Sequence, residues 1–104
     1  QLFQSQIFFM LYSNKLLFMN INELIVIVKS KIEAEIVMQD FKIEDKSFLH
    51  KNHKGNQEGM FHLKLIIKSE ELKRLSKIES TKKIYNILDV ELKEHIHSIQ
   101  ILLS

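Results

Sequence analysis

The run MFHLKLIIK, residues 60–68, alternates between two kinds of side chain, and this pattern limits what the chain can become. Phe61, Leu63, Leu65 and Ile67 fall on one face; His62, Lys64 and Lys68, with Ile66, fall on the other. Successive side chains of a β-strand point to opposite faces, so the run predicts a strand with one buried and one wet side. Such a strand needs paired neighbours and a covering layer on its apolar face only.

Two further segments provide the neighbours. Residues 36–44 set Val37, Phe41 and Ile43 against Asp40, Lys42 and Glu44, predicting a half-buried strand. The polar stretch DKSFLHKNHKGNQEG, residues 45–59, holds both glycines and links this strand directly to the next, so the two should pair as an antiparallel hairpin. The closing run IHSIQILL, residues 96–103, puts His97, Ile99, Ile101 and Leu103 on one parity and Ser98 and Gln100 on the other. The long helical connection before it favours a right-handed parallel crossover.

The rest has helical spacing. Ile21, Leu24, Ile25, Val28 and Ile32 recur at three and four, with Asn20 or Asn22 as N-cap and Glu23 in the first turn, predicting a helix to about Glu33. Over 69–94, Leu72 and Leu75, then Ile78, Ile84, Tyr85, Leu88 and Leu92 predict a short and a long helix, broken near Glu79 to Thr81. The expected fold is α+β, αββααβ, with a three-stranded mixed sheet covered by helices on one face.

With 104 residues the chain is long enough for one core. Residues 20–104 read as that domain. Residues 1–19 read as an apolar extension, with twelve apolar side chains and Lys15 as the sole charge. Its longest unbroken apolar run, Ile7 to Tyr12, is far shorter than the ~20 residues that span a bilayer, so no membrane segment is expected.

Cysteine is absent, which removes disulfides, thiolate nucleophiles and thiolate metal ligands and favours a cytoplasmic setting. No phosphate-binding glycine loop, G-x-S-x-G elbow or H-E-x-x-H helix occurs, so the chain reads as a non-enzyme. The unusual feature is five histidines. His50 and His53 sit three apart in the polar loop, and His95 and His97 flank the start of the last strand. Imidazole is the best remaining metal ligand once cysteine is gone. On parity, His97 shares the core-facing side of Ile99, within reach of a loop at that end of the sheet. His62 reads as an ordinary solvent-face residue, and His95 as the polar end of the long helix.

Charge points less sharply. Thirteen acidic residues are mixed among fifteen basic ones, and Arg74 is the only arginine. Lys73, Arg74, Lys77, Lys82 and Lys83 form a basic helical region that could contact phosphate, diluted by Glu70, Glu71 and Glu79.

Four blocks in order, D-K-S-F-L-H-K-N-H-K-G, F-H-L-K-L-I-I-K-S, K-K-I-Y and I-H-S-I, resemble the BolA family over about residues 20–104. Family members read D-x-S-x-x-H with a following G-H, then H-F-x-V-x-I-V-S, R-H-R-x-V-Y and I-H-A-L. The resemblance implies the αββααβ fold, similar to the class II KH fold. It also implies a monomeric adaptor that binds a monothiol glutaredoxin and shares a [2Fe-2S] cluster, in iron-sulfur trafficking or stress regulation. No cluster is expected on the isolated chain. The family's C-terminal histidine maps onto His97 and its loop ligand onto His50, with His53 as competitor. Bacterial members are also described as transcription regulators, which makes the basic region the alternative nucleic-acid site. Ser80, Thr81 and Lys82 replace the R-H-R block, so its histidine is lost, and Arg74 stands where a glycine is common.

Overall fold

The computed structural model describes residues 19–47 and 60–104. Their elements are α1 (Ile21–Glu35), β1 (Asp40–Asp45), β2 (Phe61–Lys68), α2 (Glu70–Lys73), α3 (Lys77–Ile87), α4 (Asp89–Glu94) and β3 (Ile96–Leu103). The sheet order is β1-β2-β3, with β1 antiparallel and β3 parallel to the central β2. The antiparallel pairing of β1 with β2 and the parallel pairing of β2 with β3 are as the spacing predicts.

The core follows from the two periodicities. On β2, Leu63, Leu65 and Ile67 are buried. Across the ladder, Phe41 and Ile43 face Ile67 and Leu65, while Ile99, Ile101 and Leu103 pair with Leu63, Leu65 and Ile67. Against this face pack Leu24, Val28 and Ile32 of α1 with Leu72, Ile84 and Leu88, in one continuous cluster. Met19, counted with the extension on composition, is also buried there.

α1 starts where Asn20 accepts a hydrogen bond from the Glu23 amide at 2.9 Å, and it runs to Glu35. Ile36 is its C-cap, buried in extended conformation. The first strand therefore starts at Asp40 rather than near residue 36. Val37 is 67% exposed, and its carbonyl accepts from the Ser69 hydroxyl at 2.7 Å instead of joining the ladder.

The break between the later helices lies at Arg74 to Ser76, not near Glu79. Ser76 caps α3 with a reciprocal capping box to Glu79, which starts the helix just before the polar run. Ser80 is fully buried within α3, its hydroxyl donating towards the carbonyls of Leu72 and Ser76, each at 3.0 Å. A polar residue that resembles a breaker thus ties the short helix to the long one. The buried positions are Ser80, Ile84 and Leu88, four apart; Ile78 and Tyr85 are exposed, contrary to the expected stripe. At Leu88 the backbone leaves helical geometry (φ −99°, ψ 19°), but Leu88 N to Ile84 O (3.0 Å) and Leu92 N to Leu88 O (2.8 Å) carry the helical bonding into α4.

One ion pair joins the first helix to the last. Lys31 Nζ lies 2.7 and 3.0 Å from the carboxylate oxygens of Glu91, whose side chain is fully buried while that of Lys31 is 33% exposed. Removing the cation from a buried carboxylate costs far more than replacing both groups by apolar ones. We therefore expect Lys31→Met to destabilise the domain near the lower end of about 3–5 kcal/mol, and Lys31→Met with Glu91→Leu to recover most of the loss. Urea midpoints at unchanged slope check this; equal losses in the single and double variants would contradict it.

Candidate functional site

Three histidines converge where α4 hands over to β3. His95 caps α4, its amide donating to the Glu91 carbonyl at 2.8 Å, and its own carbonyl accepts the Phe61 amide at 2.8 Å. That bond fixes the start of the parallel ladder, and Phe61 pairs with Ile96. The next pair is His62 with Ser98, so β3 carries one residue more than β2, and that residue is His97.

This β-bulge resets the alternation. Ile96 is buried, His97 and Ser98 are both exposed, and Ile99 returns to the core side. His97 therefore does not share the core-facing parity of Ile99, as strict alternation predicts. It stands at the open face of the sheet, opposite the helices.

His62 is not the ordinary solvent-face residue of the sequence reading. It is 4% exposed, its Nδ1 lies 2.7 Å from the Ser98 Oγ, and its ring meets that of His97 edge-on at 4.9 Å between centroids and 60° between planes. Its backbone is held as well: the amide donates to Ser47 Oγ at 3.1 Å and the carbonyl accepts from the Lys46 amide at 2.7 Å. A sequence signal for this meeting existed. Both strands open on a histidine-bearing block, F-H in β2 and I-H-S in β3, and the parallel ladder sets these two blocks side by side.

His95 departs from expectation in another way. It is buried rather than a surface helix end, and among the described residues its Nε2 is the one buried side-chain polar atom with no hydrogen-bond partner. Desolvation by burial lowers its pKa below the ordinary 6.5, outweighing the opposite pull of Glu94 and Glu91. His50 and His53 lie outside the described residues.

The basic residues occupy another part of the fold. Lys73, Arg74, Lys77 and Lys82 are exposed and Lys83 is half-buried. Lys73 and Lys77 border a groove of about 410 Å³ under Leu72, Leu75 and Leu102, where β3 ends rather than where it begins. Lys83 pairs with Glu71 at 3.2 Å and Lys73 with Glu70 at 4.0 Å, which reduces the positive field.

Chemically, the histidine site offers an exposed imidazole backed by a buried one. Among the described residues no group of three or more His, Cys, Asp or Glu could hold a metal ion, so this imidazole serves as a ligand only with donors from elsewhere. No helix among them is long and apolar enough to cross a membrane.

A family model described as BolA-like protein matches residues 32–104. The DNA-binding transcriptional regulator BolA of Haemophilus influenzae is 32% identical over 73 residues, covering 70% of this chain and 68% of that protein. Among solved structures, the BolA domain of SufE1 from Arabidopsis thaliana matches with a TM-score of 0.63 at 28% identity, over 74% of this chain and 85% of that one. BolA1 from the same plant matches with a TM-score of 0.64 at 24% identity and the same coverage, a likeness of fold.

The state of His95 yields a pH dependence. Its folded pKa lies below 6.5, so on acidification the unfolded chain takes up the proton first and stability falls as pH drops below about 6.5. The loss levels off once pH passes below the folded value. Chemical denaturation between pH 7.5 and 5.5 should show a steeper decline for the natural chain than for His95→Leu; superimposable profiles would contradict a buried neutral imidazole.

Proposed function

This chain belongs to the BolA-like protein family, and from that premise we propose that it is an adaptor that binds a monothiol glutaredoxin. In this reading the two proteins share a [2Fe-2S] cluster, serving iron-sulfur trafficking or stress regulation. The observation that carries the reading is the exposure of His97. The bulge turns its imidazole away from the helices, onto a face that a partner can approach.

The donor chemistry agrees. The chain has no cysteine, so cluster sulfur ligands must come from the partner and its glutathione. A second ligand from this chain would come from the segment between Ser47 and Met60, both ends of which are anchored at the site. Ser47 holds the His62 amide, and Met60 precedes Phe61, the partner of Ile96. The family resemblance maps that ligand onto His50, with His53 as its competitor. The cluster would supply a one-electron centre, and imidazole in place of thiolate lowers its negative charge and raises its potential.

A second reading takes its support from the name of the Haemophilus influenzae relative, a DNA-binding regulator, and from the exposure of Lys73, Arg74, Lys77 and Lys82. These residues, with Lys83, would neutralise phosphates, and binding would then weaken steeply with salt. The acidic neighbours Glu70 and Glu71 favour the first reading.

Mixing the full chain with cluster-loaded monothiol glutaredoxin should give a co-eluting complex whose visible absorption and circular dichroism differ from those of glutaredoxin alone. His97→Ala should abolish the difference; no complex, or an unchanged spectrum in that variant, overturns the adaptor reading. A gel-shift titration tests the second reading. Salt-dependent binding of duplex DNA tighter than ~100 μM would support it, and none below that concentration would remove it.

A further inference from the structure

His62 is buried, unlike the exposed His97 whose ring its own meets edge-on. Its ring cannot drift, because Ser98 holds Nδ1 at 2.7 Å while Ser47 and Lys46 hold its backbone on both sides. His97, by contrast, sits on the extra residue of a bulge, exposed and outside the regular pairing. Left alone, such a side chain would sample its three staggered χ1 wells and two ring orientations.

We propose that His62 is a positioning residue for His97: the Ser98 hydroxyl, the His62 ring and the His97 ring form one unit that presents the exposed imidazole in a single orientation. The proposal rests on the reading of His97 as a cluster ligand, but its local content is a property of this chain alone. The bulge makes the unit. Without the extra residue, the pairing of Phe61 with Ile96 would continue to His62 with His97, and Ser98 would not stand opposite His62.

The size of the effect follows from the population of the competent orientation. Apparent affinity falls in proportion to the fraction of molecules in the binding state. Six equally populated orientations would leave about one sixth competent, so losing the unit should weaken the cluster-bridged complex by up to about sixfold. A ligand lost outright would cost far more.

Two substitutions separate positioning from bulk packing. His62→Phe keeps an aromatic edge against His97 and loses the bond to Ser98, whereas Ser98→Ala keeps both imidazoles and removes only the anchor. Ser98 is exposed, so its variant should fold even if a change at the buried His62 does not.

The experiment has two arms on the full chain. In the isolated protein, side-chain couplings and imidazole shifts of His97 by NMR should report one dominant rotamer, and averaged values in Ser98→Ala and His62→Phe. In the complex with cluster-loaded glutaredoxin, both variants should retain the mixed-ligand spectrum but bind roughly three- to sixfold more weakly, the range set by partial and complete averaging. If His97 has the same couplings and shifts in the Ser98→Ala variant as in the natural chain, the positioning proposal is wrong, whatever the complex does. If the natural chain forms no complex while its His97 is ordered through Ser98, the adaptor reading fails and the positioning unit stands.

Discussion

The bulge at His97 is the constraint on which the functional end of the molecule depends. Phe61 pairs with Ile96 and His62 with Ser98, so one residue of β3 has no counterpart on β2. Side-chain alternation has a period of two, and a single inserted residue therefore exchanges the faces of everything before it relative to everything after. Here the exchange is confined to the start of the strand. Ile96 enters the core, Ile99, Ile101 and Leu103 pack against it, and His97 is left outside. The cause lies one element upstream: the carbonyl of His95, the cap of α4, takes the Phe61 amide and sets where the parallel ladder begins.

The rest of the fold serves to hold that junction. Its position depends on α4, and α4 is held by the buried Glu91 through Lys31 of α1, by Leu88 in the core, and by helical bonding across Leu88 from α3. His95 is buried between these parts with an unpartnered Nε2, a local cost of the tight passage from helix to strand. Its position differs from that of His97 two residues later, and the two imidazoles accordingly have different chemistry. One is kept neutral by burial, and the other is open to a partner.

Much of the architecture was legible because it rests on local period. The alternation of 60–68 and of 96–103, the polar hairpin link and the helical crossover are enough to define the sheet order. Errors arose where a residue's role is set by a distant partner. Val37 looks like a strand residue, but the Ser69 hydroxyl takes its carbonyl. Ser80 looks like a helix breaker, yet the Leu72 carbonyl gives its hydroxyl a buried acceptor. Ile78 and Tyr85 lie at helical spacing but turn outward, because the stripe that packs is Ser80, Ile84 and Leu88. Strict alternation places His97 on the core face, whereas the bulge leaves it exposed, and His62 reads as a solvent-face residue although it is buried. Neither alternation nor motif reveals a bulge whose register is set by the backbone of His95.

In the proposed adaptor reading, the exposed imidazole of His97 would be a ligand to a cluster whose sulfur comes from another protein. Pulsed electron paramagnetic resonance of the reduced complex with monothiol glutaredoxin, with the histidines of this chain labelled with nitrogen-15, tests that directly. The adaptor reading predicts a histidine-nitrogen coupling to the cluster that changes with the label, with the contribution of His97 lost in His97→Ala. A spectrum of sulfur ligation alone, insensitive to the label, would contradict it.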